Sequence, residues 1–565
     1  MADPAAFLDL LARAELRSAS GDWAEAAELW ARVTEANPVH GDYWARLAEA
    51  RYAERDFAAA APAYAKVLEL GVRPGYQVRF QADAPEFLPG EAAYLIACCQ
   101  AELGRREDAI DALAAALGRG FRDLDRAQTD DCWQAWRDDE RLRDLLGIVE
   151  VEGLSRDEGW RTDLRLLARE LKRRAYAPFA LISEEDFDAE VARLDGEIPG
   201  LSDTQIIVAM MRLTAHMDDG HAGIRMPDGD NELTRLVQLE FFLFAEGLFV
   251  TAAGPGYARL LGAQVETIGG RTVPEAVAAL APLIARDNDQ QVRLEIPVLL
   301  RRTAILHGLG LTGDLGQVTL AVRFPDGTGG EATVDAVPGP FLWDRHPPGW
   351  TRLTDTVAER LSGVSGSPPL HLRHRELPYW FEYLPDADLV YFQYNAVMDH
   401  PAEPFAAFCD RLFAFIAGRR PGRLVIDLRW NGGGNTFLSQ ALLHHLIRNR
   451  EISRRGALFV IIGRLTFSAA QNTATAIGRE TEPIFVGEPT GSRPNFNGEV
   501  IPFELPYSKL RANVGDLFWQ TSWPEDHRTW IAPDIYAPPT FEAYRRNDDP
   551  AMDAILALRE HLPGR

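Results

Sequence analysis

Lysine is nearly absent from this chain of 565 residues, and cysteines and long apolar runs are scarce as well. The 59 basic residues include only Lys66, Lys172 and Lys509 as lysines, so few positions could supply a lysine as a catalytic base. The four cysteines lack metal-ligand spacing, which predicts reduced thiols and neither a metal site nor a cofactor. No stretch approaches 18 uninterrupted apolar residues, so no membrane-spanning helix is predicted.

Basic residues are also outnumbered by acidic ones, 59 to 83, which gives a formal net charge of −24. Nucleic acids and anionic membranes are held by cationic surfaces, so neither is predicted as a partner. The first residues lack the basic and apolar segments of a secretory signal, and with reduced cysteines this predicts a cytoplasmic location. The length implies several globular domains.

The first 150 residues contain a repeat. Residues 21–26 (GDWAEA) recur 34 positions later as residues 55–60 (RDFAAA), and after an interruption as residues 104–109 (GRREDA). An apolar helical pattern follows each copy, and this register resembles the tetratricopeptide repeat. The resemblance implies an α-solenoid over residues 1–150, with a groove that binds a protein partner. A plain helical bundle is the alternative.

Residues 151–235 keep a helical pattern, whereas residues 236–345 carry short strand-like runs around one helix, predicted from Val273 to Ile284. A capping box at Ser202 predicts a helix that ends near Gly220 and leaves His221 on the following turn. The run from Leu261 to Val273 resembles the strand-turn-strand of a PDZ domain, which would bind a peptide at a sheet edge. A small β-rich spacer is the alternative for this region.

Residues 346–565 include two strand-turn-helix units, which predict an α/β core. A buried strand is predicted before them, from Leu389 to Asn395, and a closing helix after them, from Asp549 to Ala557. The first unit (LVIDLRWNGGGN, from Leu424) turns at three glycines, and the second (LFVIIGRLTFSAAQN, from Leu458) turns at Ser468. Glycine lets backbone N–H groups approach a developing anion, and a helix N-terminus favours negative charge. The pairing therefore predicts an oxyanion hole beside a nucleophilic serine. A serine that only caps its helix is the alternative.

Four motifs in this order resemble the tail-specific or C-terminal-processing serine peptidases, including their tricorn-like branch: DLRWNGGG from Asp427, TFSAA from Thr466, GEPTG from Gly487 and PDI from Pro533. The resemblance covers about residues 155–560. It implies a helical segment, a PDZ-like insert and an α/β peptidase core that cleaves a peptide or protein substrate. Ser468 would be the nucleophile, and the oxyanion hole would be formed by the N–H groups of Gly433, Gly434 and Ala469.

The base follows from a departure within this resemblance. One branch of the family uses a lysine downstream of the serine, and the aligned run here ends in arginine instead, Thr490-Gly-Ser-Arg493. Arginine stays protonated and cannot act as a base. The tricorn-like branch supplies a histidine from before the PDZ-like region, which implies that His221 takes the serine proton.

Several assignments stay open. His527, or the adjacent His444 and His445, could replace His221 as the base, and the acid that orients the base could be Glu525, Asp526 or Glu499. Arg493 could bind a substrate carboxylate or be an ordinary loop residue. An inactive peptide-binding scaffold on a peptidase fold is the second functional hypothesis, and a different acyl hydrolase is the third.

Overall fold

The structure is a computed structural model that describes residues 4–72, 89–121, 123–227, 231–339, 349–354 and 368–558. The chain divides into two compact units, Met1–Glu152 and Gly153–Arg565. Each unit has hydrophobic cores of its own. No helix within these ranges combines the length and the apolar composition that crossing a lipid bilayer requires.

Helices make up all the regular structure described in the first unit. Each of the first five packs against the next one along the chain, and the sixth packs against the last. A 3-10 helix, Asp131–Trp136, lies between the last two α-helices. The α-helices are α1 Pro4–Ser20, α2 Trp23–Ala36, α3 Gly41–Ala53, α4 Phe57–Leu70, α5 Pro89–Glu102, α6 Arg106–Gly118, α7 Leu124–Thr129 and α8 Glu140–Leu146.

Alanine and aromatic side chains share the cores of this unit. Ala26, Ala48 and Ala60 are completely buried, and small side chains let helix backbones approach closely. Trp30 and Trp133 are among the largest buried side chains and fill the space between helices. This packing agrees with a stack of helices, and the assignment to tetratricopeptide repeats stays a prediction.

Three helices open the second unit: α9 Arg156–Arg174, α10 Glu184–Glu197 and α11 Asp203–Thr214. The capping box predicted at the start of α11 is confirmed, because Ser202 and Gln205 each bond the other's backbone N–H. The chain then passes His221 and enters a short strand, β1 Gly223–Arg225.

An eight-stranded sheet and three helices follow. The strands are β2 Arg235–Val237, β3 Leu239–Phe244, β4 Gly247–Ala253, β5 Gln264–Ile268, β6 Arg271–Thr272, β7 Gln317–Arg323, β8 Gly329–Pro338 and β9 Thr351–Arg352. The main order is β2-β8-β7-β5-β4-β3, with β6 on β5 and β9 on β4. The helices are α12 Val273–Leu280, α13 Asp289–Leu299 and α14 Thr303–Gly308. The PDZ-like assignment of this region stays a prediction.

The last part of the chain forms two further sheets from eight strands: β10 Tyr379–Leu384, β11 Leu389–Tyr394, β12 Arg423–Asp427, β13 Leu458–Ile462, β14 Ile484–Gly487, β15 Asn495–Glu504, β16 Arg511–Gln520 and β17 Ile535–Tyr536. Six of them form one sheet in the order β10-β11-β12-β13-β14-β17, which is parallel except for the β10–β11 pair. Every residue of β11, β12 and β13 is buried, as their continuous apolar runs predict for central parallel strands.

Helices cover both faces of this six-stranded sheet. α15 Phe405–Arg419, α16 Ser439–Arg448 and α17 Ala469–Glu480 pack on one face. After the short α18, Phe541–Tyr544, helix α19 Pro550–Ala557 packs on the other. Parallel strands covered on both faces are the arrangement of an α/β core, and the turns at their carboxyl ends are the usual place for a binding site.

A small third sheet has the order β1-β16-β15, in which β15 and β16 form a long hairpin. Gly223 of β1 pairs with Asn513 of β16 in antiparallel register. This pairing attaches the turn that carries His221 to the hairpin, which lies far away in the sequence.

Candidate active site

Ser468 lies on the turn between β13 and α17, at the N-cap position of the helix. Its backbone has φ 52° and ψ −124°, and its side chain makes no capping hydrogen bond. A positive φ at a residue with a Cβ is strained by about 1–2 kcal/mol, so the surrounding structure must enforce it. The hypothesis that Ser468 merely caps the helix is therefore wrong, and the side chain lines a cavity.

Thr466 enforces this turn from two residues away. Its Oγ1 donates to the carbonyl of Leu428 at 2.9 Å and accepts the N–H of Gly463 at 3.0 Å. The carbonyl of Thr466 accepts the N–H of Gly491 at 3.0 Å. Because Thr466 is completely buried, these bonds fix the loop before the serine.

The imidazole of His221 lies between two aromatic rings. It contacts Phe467 at 4.5 Å between ring centroids and stacks on Phe496 at 5.7 Å. Phe467 directly precedes Ser468, and His221 and Ser468 line the same cavity. The structure thus brings the predicted base and the predicted nucleophile to one site.

The two ring nitrogens of His221 have different surroundings. Nδ1 lies 3.2 Å from the carbonyl oxygen of Asn497 and 3.3 Å from Oδ1 of Asp219. Both of these groups are acceptors, so Nδ1 carries the proton of the neutral ring and Nε2 has the free lone pair. Nε2 is buried and has no hydrogen-bond partner among the residues that the structure describes. This is the tautomer that a general base requires.

Asp219 is the carboxylate that contacts the histidine. It is 3% exposed, and its Oδ1 also accepts the backbone N–H of His221 at 2.8 Å. Its Oδ2 accepts the N–H of Gly515 in β16. The sequence carried a local signal for this contact, since an aspartate two residues before a turn residue commonly bonds that residue's N–H.

A second carboxylate, Asp287, lies behind the same turn. Its Oδ1 accepts the N–H of Gly220 at 2.9 Å, and it comes from the loop before α13. Burial raises the pKa of Asp287 to about 6, although the charge of His221 opposes this change. No pattern in the sequence indicated this residue, because its place depends on a contact between distant segments.

The pKa of His221 is raised above its ordinary value of 6.5. Burial by itself lowers the pKa of the ring, but the hydrogen bond and charge of Asp219 and the charge of Asp287 outweigh burial. The two carboxylates therefore stabilise the imidazolium that would form when the ring takes a proton.

The glycine turn packs directly on the serine. Gly433 has φ 115°, and a Cβ placed on it would lie 2.7 Å from Cβ of Ser468 and 3.1 Å from the nitrogen of Ala469. Gly434 has φ 135°, and a Cβ on it would lie 2.1 Å from the carbonyl oxygen of Val397. Both positions therefore need glycine, one for the approach to the serine and one for packing.

The predicted oxyanion donors differ in what they contact. The N–H of Gly433 donates to Oδ1 of Asn431 at 3.0 Å, which contradicts its assignment as an open donor. Gly434 packs on Val397 and is not among the cavity-lining residues, whereas Gly432 and Gly433 are. Ala469 is the first residue of α17, where an N–H has no acceptor within the helix. Ala469 remains the best supported of the three.

Glu525 and Asp526, two of the predicted acids, have other partners. Asp526 pairs with Arg528 at 2.7 Å and accepts the hydroxyl of Ser522, and the hydrogen bond from Arg528 holds its pKa far below the usual range. The side chain of Glu525 is 92% exposed and lies 3.4 Å from His527. The choice of Glu525 or Asp526 as the orienting acid is thus contradicted, because both point to the loop around Arg528. Glu499 has φ 67° within β15.

The alternative bases lie elsewhere in the structure. His527 is 80% exposed. His445, on α16, pairs with Asp410 of α15 at 2.9 Å. The neighbouring His444 is exposed. None of the three lines the cavity that holds Ser468.

Arg493 braces the site from outside the cavity. Its guanidinium donates to both oxygens of Asp218, at 2.7 and 2.6 Å, and its Nε donates to the carbonyl of Asp287 at 2.9 Å. These bonds tie the His221 turn to the loop before α13. Asp218 neutralises the charge of Arg493, and Arg493 is not among the cavity-lining residues, which argues against the prediction that it binds substrate.

The cavity has a volume of about 1590 Å³. Its walls come from the His221 turn and β1, from α13, from the glycine turn and from the loop before Ser468.

In the first unit, Cys98, Asp130 and Cys132 bring their ligand atoms within 4.8 Å of one another. The sulfur atoms of the two cysteines lie 3.1 Å apart, and Asp130 accepts the hydroxyl of Tyr94 at 2.6 Å.

The architecture is that of a multidomain protein with mixed helices and sheets, and comparison with solved structures makes the fold more specific. The chain resembles the structure of mature CPAF complexed with lactacystin, with a TM-score of 0.50 at 14% identity over 71% of this chain and 98% of that chain. A second structure of mature CPAF gives a TM-score of 0.49 at 14% identity, over 71% of this chain and 96% of that one. The photosystem II D1 C-terminal processing protease gives 0.34 at 12% identity, over 72% and 97%.

No protein-family model matches the chain, and no curated protein matches its sequence. At such low identity, the likeness to CPAF shows a shared fold. What the site can do chemically must therefore be argued from its own residues.

Proposed function

We propose that the protein is a serine peptidase in which Ser468 is the nucleophile, His221 is the general base and Asp219 orients the histidine. One observation carries the proposal: the buried Nε2 of His221 has no hydrogen-bond partner among the described residues, while Nδ1 faces two acceptors. A buried imidazole nitrogen without a partner is costly unless a ligand or a reacting group uses it.

In the proposed reaction, Nε2 of His221 takes the proton of the Ser468 hydroxyl as the oxygen attacks a peptide carbonyl. The Ala469 N–H, at the positive end of α17, would stabilise the oxyanion. The imidazolium then returns the proton to the leaving amine, which departs and leaves an acyl-serine. Water, deprotonated by the same ring, hydrolyses this ester and restores the serine.

Asp219 replaces Glu525 and Asp526 in this proposal. Its contact with the ring keeps the proton on Nδ1, so that Nε2 stays a base. Asp287 adds a second negative charge behind the turn, and this charge favours the imidazolium. The fold supports the same reaction class, and because mature CPAF was solved with lactacystin, we expect lactacystin to compete for Ser468 here.

Three finer parts of the proposal rest on the sequence. The resemblance to tail-specific and tricorn-like peptidases suggests a peptide or protein substrate, and the PDZ-like region would help to bind it. The repeats of the first unit would bind a protein partner. The low cysteine content supports a location in the cytoplasm.

A peptide-binding scaffold without activity is the second candidate. The observation in its favour is that the N–H of Gly433 donates to Asn431, which leaves Ala469 as the principal oxyanion donor. If the Ala469 N–H alone is too weak a donor, catalysis would need a movement of the glycine turn when substrate binds. Without that movement, the protein would bind peptides and not cleave them.

A fluorophosphonate probe separates the two candidates. We expect the purified chain to be labelled at one residue, and tryptic mass spectrometry should identify it as Ser468. Labelling should disappear in Ser468→Ala and in His221→Ala. The control is His216→Ala, because His216 pairs with Glu190. Variants that fold by circular dichroism give the decisive comparison, and an unlabelled, folded wild-type chain would support the scaffold instead.

A further inference from the structure

Arginines are concentrated on the walls of the cavity that holds Ser468. Within the described part of the chain, seven line it: Arg225, Arg293, Arg301, Arg302, Arg375, Arg429 and Arg464. Such a concentration contrasts with the net charge of −24 of the whole chain. Arg225 and Arg293 differ from those that form ion pairs within the fold, because their charges are open to a ligand.

Two of them are held by carboxylates. Arg429 pairs with Asp427 and with Asp549, at 2.9 and 2.8 Å. Arg464 pairs with Glu488 at 2.6 Å, and both of these side chains are buried. These ion pairs stabilise the turns around the sheet, and their carboxylates neutralise the charges of Arg429 and Arg464.

Arg225 and Arg293 are different. Neither forms an ion pair with a carboxylate within the part of the chain that the structure describes. The Nε of Arg293 is buried and has no hydrogen-bond partner there. Arg225 has a neutral partner, Asn513. In the amide orientation that satisfies both the oxygen and the nitrogen of Asn513, the Nε of Arg225 donates to the amide oxygen at 3.3 Å. Leaving the buried Nε of Arg293 without a partner is unfavourable, and a bound anion would remove that cost. Arg225 is exposed, so its charge can pair with an anion in the cavity.

The neighbouring groups keep this wall positive. Burial is the main cause that lowers the pKa of Arg302 to about 10, and the charge of Arg301 lowers it further. Arg302 therefore remains a cation at neutral pH. Five acids among the described residues also line the cavity: Glu240, Glu295, Glu488, Asp548 and Asp549. Glu488 and Asp549 form the ion pairs with Arg464 and Arg429, and Asp548 pairs with Arg546. Burial raises the pKa of Glu295 to about 7, against the charges of Arg302 and Arg225, so only part of its negative charge is present near neutrality.

This wall adjoins the proposed catalytic histidine. Arg225 ends β1, the strand that directly follows the His221 turn. Arg293 lies on α13, where Gln291 donates to the carbonyl of Gly220 at 3.2 Å. An Arg464 Nη1 contact at 3.5 Å to the carbonyl of Arg293 connects α13 to the loop before Ser468. A substrate bound at Ser468 would thus extend along these arginines.

We propose that the cavity selects peptides with an acidic side chain near the bond to be cleaved, and that Arg225 and Arg293 bind this carboxylate. The inference rests on the proposed peptidase function and names its substrate class. A planar guanidinium suits a carboxylate, which it can bind through two hydrogen bonds. A free peptide C-terminus offers the same chemistry, so the test must distinguish the two sources.

Binding can be measured without catalysis in the full-length Ser468→Ala variant. The probes are fluorescein-labelled alanine octapeptides with glutamate or glutamine at the two central positions, each with a free or an amidated C-terminus. Fluorescence anisotropy gives their dissociation constants. We expect the glutamate peptide to bind about tenfold more tightly than the glutamine peptide, since hydrogen bonds to charged groups are worth more than neutral ones. The difference should persist when the C-terminus is amidated.

Substitutions then locate the subsite. Arg293→Gln or Arg225→Gln, made in the Ser468→Ala chain, should weaken binding of the glutamate peptide about tenfold and leave the glutamine peptide unchanged. Arg450→Gln is the matched control, since Arg450 is exposed and lies outside the cavity. Glu295→Gln should strengthen binding of the glutamate peptide, a gain that a folding defect could not imitate.

The outcomes separate this inference from the peptidase function. Equal affinity for the glutamate and glutamine peptides would overturn it, even if the wild-type chain reacts with a fluorophosphonate. Selectivity that follows the free C-terminus alone would also overturn it and would assign the arginines to the terminal carboxylate. Glutamate-selective binding that Arg293→Gln removes supports it, whether or not the wild-type chain is active.

Discussion

One oxygen of Asp219 contacts two atoms of His221: Oδ1 accepts the backbone N–H at 2.8 Å and lies 3.3 Å from the ring Nδ1. Removing this charge should disorganise the base without removing the histidine. We expect Asp219→Asn to slow the reaction of Ser468 with a fluorophosphonate by about 10²- to 10⁴-fold, because the ring loses its preferred tautomer. Asp526→Asn is the control and should leave the rate within about twofold of the wild-type rate, since Asp526 pairs with Arg528. A large effect of Asp526→Asn, with none of Asp219→Asn, would instead support Asp526 as the acid that orients the base.

The pH dependence of the same reaction reports the protonation of His221. Only the neutral ring can accept the serine proton, so the labelling rate should rise with pH and level off above an apparent pKa that exceeds 6.5. Asp219→Asn removes the largest of the groups that raise this pKa, and the midpoint should move to lower pH. Rates measured from pH 5 to 9 at constant ionic strength give both midpoints. A midpoint that rises in Asp219→Asn would contradict the proposed contact.

Asp287 should make the protein less stable as the pH rises. Its pKa is about 6 in the folded chain and 3.8 in the unfolded reference, so the folded state binds the proton more tightly. The free energy of unfolding should therefore decrease between about pH 4 and pH 6, and the loss persists above pH 6. Asp287→Asn removes this loss, and at pH 7.5 it should gain on the order of 3 kcal/mol relative to its effect at pH 4. Urea unfolding at both pH values measures the difference, and an equal effect at pH 4 would point to packing instead.

The close approach of the glycine turn to the serine can be tested with neighbouring glycines. Gly433→Ala places a methyl group 2.7 Å from Cβ of Ser468 at a residue with φ 115°. We expect the serine to be displaced and the labelling rate to fall by at least about tenfold, because small misplacements of reacting groups are costly. Gly432→Ala is the control, because the nearest atom to its added Cβ is a leucine methyl at 3.6 Å. Equal rates for the two variants would show that the turn does not position Ser468.

The backbone strain at Ser468 predicts a change in stability. At φ 52° and ψ −124° a Cβ is unfavourable and glycine is not. Ser468→Gly should therefore raise the free energy of unfolding by about 1 kcal/mol relative to Ser468→Ala, although both variants lose the nucleophile. Thermal unfolding under identical conditions measures the difference. A less stable glycine variant would mean that the conformation of this turn is not enforced against strain.

The sequence predicts the core well where local patterns determine structure. The apolar run from Leu389 to Asn395 forms β11, which ends one residue earlier, and the helix predicted from Asp549 begins at Pro550. Predicted bounds fail where a local break intervenes. The helix expected from Val273 to Ile284 ends at Leu280, and a 3-10 turn containing Pro282 follows, since proline cannot donate the helical hydrogen bond.

The site is predicted only in part, for a physical reason. Ser468 and the glycine turn follow from strand and turn signals, which are local. Asp287 reaches the site through a contact between segments that lie apart in sequence, and Arg493 is engaged by such a contact too. A sequence pattern shows residue types but does not show which distant charges they meet. The sequence therefore predicts the acid near the Pro533 motif, whereas the carboxylate that contacts the ring is Asp219, two residues before the histidine.

The sheet that joins β1 to the hairpin has a consequence for how the protein unfolds. The ring of His221 is held by Asn497, 276 positions away, and by an aspartate that β16 holds in turn. No short fragment of the chain can assemble these groups, so reactivity belongs to the second unit as a cooperative whole. Labelling of Ser468 in increasing urea would thus report the native population of residues 153–558, and the serine would act as a built-in sensor of that unit's integrity.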